Sequence, residues 1–290
     1  MKFLSAVFFK VFVLFVGILP YRVLYIVSDF LSFILKNVIG YRKNVAEVNL
    51  KKAFPDKSPE ALQKIINLSY KNLSDMLIEG IKAFTISRKQ TIRRFYVKNP
   101  EVFEPFCHQE KGVLLVLGHY ANWEWAVLSA PLYLCFKNII TFYKPLNNPF
   151  IDRYIQKNRT RTGTKLISII ATAATFRKYE KKPAIYVLVA DQSPSNPNKS
   201  IWVPFLKRDT AFLHGPEYYA KYYSLPIVFA DIQRIKRGFY EAELTVLTTK
   251  PDSLPDGEIT RLYASKLEEI IYKKPEDWLW SHKRWKHKRK

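Results

Sequence analysis

In the segment LGHYANWEW, Leu117 to Trp125, a histidine and a glutamate stand five residues apart where an apolar run gives way to an aromatic one. A neutral imidazole held by a carboxylate at one ring nitrogen keeps the other free to take a proton from a hydroxyl. His119 and Glu124 are therefore candidates for a general base and its orienting partner. On one continuous helix a five-residue offset would separate them by about 140°. They are expected to meet only if His119 stands in a turn and Glu124 in the first helical turn behind it. The same pair also reads as a helix start carrying an acidic residue near its positive end and a satisfied histidine. Asn122, Trp123 and Trp125 could line a substrate site or belong to the core.

Further along, the arginines of NRTRTG, Arg159 and Arg161, could bind a phosphate or stabilise a developing oxyanion. They could equally form one exposed basic helix face. Asp191 in VADQS ends an apolar run; it could hold Arg159 or organise the loop, or be a turn carboxylate. Gln192 and Ser193 follow it towards the same place. The C-terminal WLWSHKRWKHKRK interleaves aromatic and basic residues, so Trp280, His282, Arg284 and Trp285 could be structural, substrate-binding or membrane-contacting. Nucleic-acid tails share that composition. His282 and His287 have no Cys or acidic cluster beside them, and no metal site is expected.

These residues need a frame. GVLLVLG is a continuous apolar run of strand length, and NIITFYK, KLISI and AIYVLVAD follow it with helix-like segments between. Such alternation predicts an α/β fold with a mixed, largely parallel central sheet flanked by helices. His119 then lies at the carboxyl end of the first buried strand, where open α/β sheets bind ligands. PIVFADIQRI and FYEAELTVL read as a hairpin turning at Arg237-Gly238. Upstream, two amphipathic helices break at Phe54-Pro55, the second starting at Ser58-Pro59. A last helix is expected over about Glu258 to Tyr272.

The chain has 290 residues, with 47 Lys and Arg against 25 Asp and Glu, a formal charge of +22. That field favours anionic partners: lipid, nucleic acid or an acidic protein. The two cysteines, Cys107 and Cys135, have no second Cys nearby, so neither a disulfide framework nor a zinc knuckle is indicated and a reducing compartment is expected. Phe3 to Leu19 is apolar apart from Ser5, Lys10 and Gly17, about long enough for a thin bilayer. Val23 to Ile39 contains Asp29 and Lys36 and reads as an interfacial or re-entrant helix. A cleaved signal peptide competes, but no small-x-small cleavage site follows the apolar run. Positive charge downstream puts the body of the protein on the cytoplasmic side. Residues 1–40 are thus expected to form a membrane anchor with an interfacial helix, and 41–290 one domain with a basic tail.

Six blocks in order carry a resemblance: the apolar N-terminus, YRKNVAEVNLKKAFPDKSPEAL, GHYANWEW, NNPFIDRYIQKNRTRTGTKLI, VLVADQSP and DWLWSHKRWK. The sequence resembles the bacterial lipid A biosynthesis (late) acyltransferases, of the lauroyl and myristoyl type, within the glycerolipid-acyltransferase-like superfamily. The resemblance implies transfer of an acyl chain from an acyl-acyl carrier protein to a hydroxyl of a phosphorylated lipid A precursor at the bacterial inner membrane. It implies His119 as base and Glu124 as its orienting carboxylate, with Arg159, Asp191 and less securely Arg161 as functional positions. Asn122 and Gln192 join them as substrate-binding candidates. No cofactor, metal or nucleic-acid partner is expected, while anionic membrane lipids are. Transfer to another membrane acceptor (an aminolipid, a glycolipid or a pigment precursor) and a membrane-tethered nucleic-acid-binding protein are the rival readings.

Overall fold

The apolar runs become strands, and the segments between them become helices, throughout the computed structural model, which describes residues 1–289. Two helices come first, α1 (Lys2–Ile18) and α2 (Tyr21–Phe33), with a π turn (Ile34–Val38) continuing the second. Next are α3 (Lys43–Ala53) and α4 (Pro59–Lys82). Phe54-Pro55 separates them as expected, and Ser58 Oγ caps α4 by accepting from the Ala61 N–H at 3.3 Å. α5 (Arg88–Arg94), β1 (Phe95–Val97) and α6 (Glu104–Cys107) lead to the alternating part. There β2 (Val113–Leu117), α7 (Trp123–Tyr133), β3 (Ile139–Tyr143), α8 (Pro149–Thr160), β4 (Thr164–Ser168), α9 (Thr172–Lys178) and β5 (Ile185–Val189) follow one another. The chain continues through β6 (Ser200–Phe205), β7 (Arg208–Leu213), α10 (Gly215–Tyr222), β8 (Ile227–Lys236), β9 (Phe239–Thr248) and α11 (Glu258–Lys273).

The strands form a seven-stranded sheet in the order β1-β9-β8-β2-β5-β3-β4. Every pairing is parallel except β8 with β9. The mixed, largely parallel α/β sheet is thus present, including the hairpin at Arg237-Gly238. β2 sits at its centre with all of its residues buried, as a strand covered on both faces must be. α7 lies over one face, and α10 and α11 over the other. β1 was not foreseen because a run this short has no readable period. The separate antiparallel ribbon β6–β7 was missed because Pro204 argues against a strand.

The N-terminal helices pack on α4. Lys82 Nζ, near the end of α4, donates to the carbonyls of Gly17 and Leu19 at the end of α1, which satisfies acceptors that a helix terminus leaves open. α2 is fixed by charge: Asp75, fully buried in α4, accepts from Ser28 Oγ at 2.6 Å and from the guanidinium groups of Arg234 and Arg237. Arg237 also reaches Asp29 at 2.6 Å. Asp29, expected on an interfacial helix, is therefore one end of an ion-pair chain to the sheet. Among the described residues no single helix is long and apolar enough to cross a membrane; a pair bent by 88°, Tyr21–Val38 with Lys43–Ala53, meets the length and composition criteria only together. α1 itself is 17 residues long. The outer faces of α1 and α2 expose Phe8, Phe12, Phe15, Ile26 and Phe30.

The cysteines depart from expectation. Cys107 at the end of α6 and Cys135 just past α7 are joined as a disulfide, their Cα atoms 6.0 Å apart, within the range a disulfide spans. A separation of 28 residues hid this contact from the sequence. The fold closes it by packing Phe103 edge-on against Phe136.

Candidate active site

His119 stands in the turn between β2 and α7, and Glu124 is the second residue of α7, as the spacing required. Gly118 lets the chain leave β2 closely packed: a Cβ there would come within 2.6 Å of Leu267 in α11. Ala121 then takes a left-handed φ of 52°, a strained value for alanine. The turn is held from outside. Ala121 N–H donates to the Asp277 carbonyl at 2.8 Å, Tyr120 pairs with Trp278 as an isolated β-bridge, and Leu279 N–H donates to the His119 carbonyl at 3.2 Å.

Inside the turn, Asn122 caps α7 by accepting from the Trp125 N–H at 2.9 Å, and it donates to the Glu79 carboxylate at 2.7 Å. Both Asn122 and Glu79 are fully buried. Asn122 is thus a supporting residue, and its expected place among substrate contacts is corrected. Glu79 also accepts from the hydroxyls of Tyr25 at 2.7 Å and Tyr240 at 2.6 Å. Burial raises its carboxyl above the usual range, and the tyrosine hydrogen bonds oppose this.

The carboxylate at His119 is not Glu124. Asp191 Oδ1 lies 2.5 Å from His119 Nδ1, and Asp191 Oδ2 accepts from the His119 backbone N–H at 2.9 Å. The same Oδ2 accepts from Trp278 Nε1 at 2.9 Å. Burial pushes the Asp191 carboxyl up, but the His119 charge and these hydrogen bonds outweigh it, leaving the group below the usual carboxylate range. On the far side of the ring, Gln192 Nε2 is 3.1 Å from His119 Nε2. An amide nitrogen can only donate, so the network assigns the proton to Nδ1, facing Asp191, and the lone pair to Nε2. A carboxylate-oriented imidazole whose unprotonated Nε2 faces away from the carboxylate has the form of a general base.

Glu124 instead holds Arg159. The guanidinium of Arg159, on α8, meets Glu124 in a two-pronged pair, Nε to Oε2 at 3.0 Å and Nη2 to Oε1 at 2.5 Å. The expected partners are thus exchanged: Asp191 serves His119, and Glu124 serves Arg159. Arg161 turns away, donating to the carbonyls of Ala83 at 3.0 Å and Ile86 at 2.8 Å. It ties α8 to the end of α4 and does not line the cavity beside His119.

The exchange has a cause in the sheet. β2 and β5 are adjacent and parallel, with Leu117 opposite Val189. His119 and Asp191 each lie two residues beyond that pair, so the two strand ends deliver them side by side. Aligning VLLVLGH with IYVLVAD would have found this. Trp278 was also overlooked, although its DWLW block was noticed. Within that block Trp280 donates to the Pro275 carbonyl at 2.6 Å, and Arg284 donates to the Ala211 carbonyl while lying 4.3 Å from the Phe212 ring centroid. Trp285 donates to Thr210 Oγ1 at 2.8 Å. His282 Nε2 accepts from the Ser193 N–H at 3.1 Å. These residues bolt the loop and the ribbon β6–β7 to the body of the protein.

A cavity of about 460 Å³ opens beside His119. Glu124, Arg159 and Gln192 line it with His119, Tyr143 and Lys144 add further polar groups, and most of the remaining lining is apolar. It runs between α7 and the sheet, floored by inward residues of all seven strands, among them Leu115, Ala230, Ala242 and Leu244, and ends against Phe95 and Val97. α7 turns Ala126, Val127 and Ala130 towards it. Small residues on both walls leave the space open. A long apolar slot with a few convergent polar groups at one place is suited to an extended hydrocarbon with a reactive end. Among the described residues no group of three His, Cys, Asp or Glu side chains is placed to hold a metal.

The chain is similar to known proteins over nearly its whole length. The family model for bacterial lipid A biosynthesis acyltransferases matches residues 3–287. Similar proteins include a lipid A biosynthesis palmitoleoyltransferase of Escherichia coli (strain K12), 22% identical over 270 residues, which cover 92% of this chain and 86% of the relative. A lipid A biosynthesis acyltransferase of Shigella flexneri matches over the same shares at 22% identity. A lipid A biosynthesis lauroyltransferase of the same E. coli strain is 23% identical, over 92% of this chain and 87% of the relative. With nearly its whole length matched, the chain belongs to the bacterial lipid A biosynthesis acyltransferases and is an acyltransferase.

Proposed function

We propose that the protein transfers a fatty acyl chain from an acyl-acyl carrier protein to a hydroxyl of a phosphorylated lipid A precursor, with His119 as general base. The observation that carries this reading is the placement of His119 Nε2 beside the apolar cavity, with Asp191 on the opposite ring nitrogen. The acyl chain lies in the cavity and its thioester carbonyl at the polar part. Nε2 takes the acceptor proton as the hydroxyl oxygen attacks that carbonyl. The tetrahedral intermediate collapses, the thiolate leaves, and the imidazolium returns the proton to it. No Ser or Cys lies in the GHYANWEW turn, so the acyl group passes directly between substrates.

Asp191 fixes the tautomer and stabilises the imidazolium. Arg159, held by Glu124, faces the charge that develops on the carbonyl oxygen. The exposed phenylalanines of α1 and α2 seat the protein against the cytoplasmic face of the inner membrane, with residues 1–40 as the anchoring part. The charge of +22 attracts anionic lipids and the acidic carrier protein.

The test is acyl transfer by purified protein in detergent micelles, with acyl-acyl carrier protein and a lipid A precursor, followed by mass spectrometry of the product. Wild type adds one acyl chain and His119→Ala does not. Transfer at the wild-type rate by His119→Ala would overturn the assignment of the base.

A further inference from the structure

Beyond Trp123 and Gln192 lies a second space, which adds cations to an otherwise apolar and aromatic lining. A groove of about 740 Å³ is bordered by Tyr41, Arg42, His282, Lys283 and Lys286, and it shares Trp123 and Gln192 with the apolar cavity. Because Gln192 Nε2 is 3.1 Å from His119 Nε2, the two spaces adjoin next to the proposed base. No carboxylate lines the groove. Among the described residues neither Lys283 nor Lys286 has a carboxylate within salt-bridge distance, and Arg42 donates only to the Ser281 carbonyl, at 3.3 Å.

The cations are also held in place. Arg42 is the N-cap of α3 at a left-handed φ of 52°, and no side chain caps that helix end, so the helix's positive end adds to the field. Asn49, one turn and more into α3, donates to the carbonyls of Trp280 and His282, each at 3.0 Å. These bonds fix the segment carrying Lys283 and Lys286 against the helix that starts at Arg42. His282, between them, is kept neutral by burial, its ring pushed down to about 4. It therefore offers a polar contact without adding repulsion among the cations.

We propose that Arg42, Lys283 and Lys286 form a binding subsite for a phosphate monoester on the sugar headgroup of the acceptor lipid. The proposal rests on the acyl-transfer reading of His119 and deepens it: donor hydrocarbon fills the apolar cavity, while the acceptor's phosphorylated sugar enters from the cationic groove. A phosphate supplies several acceptor oxygens to the three cations that line the groove, and Tyr41 and Trp123 give the sugar ring flat apolar surfaces. The two substrates thus reach Nε2 from two separate spaces.

The test measures binding of full-length protein to micelles carrying an acylated glucosamine disaccharide with or without its phosphate monoesters, alongside steady-state acyl transfer. Lys283→Glu with Lys286→Glu should weaken binding of the phosphorylated lipid roughly tenfold or more and leave the dephosphorylated lipid unchanged. The acceptor KM should rise in step while the donor KM stays. Lys283→Arg with Lys286→Arg should bind as wild type, which controls for folding. Equal loss for both lipids, no loss, or a rise in donor KM instead would overturn the subsite; the last would assign the cations to the carrier protein. Wild type that binds the phosphorylated lipid selectively but transfers no acyl chain would refute the acyl-transfer reading and leave the subsite standing.

Discussion

Asp191 grips His119 twice, at the ring Nδ1 and at the backbone N–H. A carboxylate holding both the side chain and the main chain of one histidine fixes the ring's direction as well as its tautomer. Asp191→Asn is expected to cut kcat by about two to four orders of magnitude, with little change in acceptor KM. Steady-state kinetics on a variant whose Tm stays near wild type checks this. A kcat within threefold of wild type would leave Asp191 a merely structural role.

Glu124 and Arg159 act as one unit. Either residue replaced by Ala should lose most of the activity, and the double variant should be no slower than the worse single one. The pair is partly exposed, so its own contribution to stability is at most about 1 kcal/mol. A double-mutant cycle on kcat/KM, read beside Tm, separates the two effects. Additive losses would mean that the residues work independently.

Under the proposed reading, the far wall of the apolar cavity sets which acyl chains fit. Ala242→Phe, on β9, fills space near Phe95 and Val97 and should shift preference towards shorter acyl donors. Overpacking costs about 1–3 kcal/mol of stability. Competition between acyl donors of different length, read by mass spectrometry, reports the shift; an unchanged product distribution would place the chain end elsewhere.

His282 links the site to pH. Its ring, ordinarily near 6.5, is held down to about 4, chiefly by burial. Between those values the unfolded chain takes up a proton that the folded one refuses, so stability falls as pH drops through that window. His282→Gln keeps an acceptor for the Ser193 N–H and removes the titration. Its Tm should decline less than wild type between pH 6.5 and 4; parallel curves would contradict the assignment.

Asp75 anchors α2 through Arg237. Asp75→Asn leaves Arg234 and Arg237 short of charge in a buried place, a change expected to cost about 3–5 kcal/mol. Arg237→Gln removes the bridge to Asp29 as well. Hydrogen exchange over residues 21–33 should quicken in both variants before exchange in β2 does.

The sheet was legible because its strands are buried on both faces and read as unbroken apolar runs, and the helix at Ser58-Pro59 because its cap and first residue are local signals. The partners of the charged residues were not legible. His119 and Asp191 are 72 residues apart, and only the order of strands across the sheet makes them neighbours. Glu124 looked like the natural partner because sequence proximity stands in for spatial proximity when topology is unknown. Asn122 and Arg161 looked functional for the same reason: each lies beside a site residue in the chain and points elsewhere in space. The Cys107–Cys135 contact depended on how α6 folds under α7, which no local pattern encodes.

The turn that carries His119 is braced by Asp277, Trp278 and Leu279. Those residues are translated after every strand of the sheet, so the sheet can assemble while the base still lacks its brace. Under the proposed reading, a chain cut short before Asp277 would keep every strand of the sheet and lack the brace on its base.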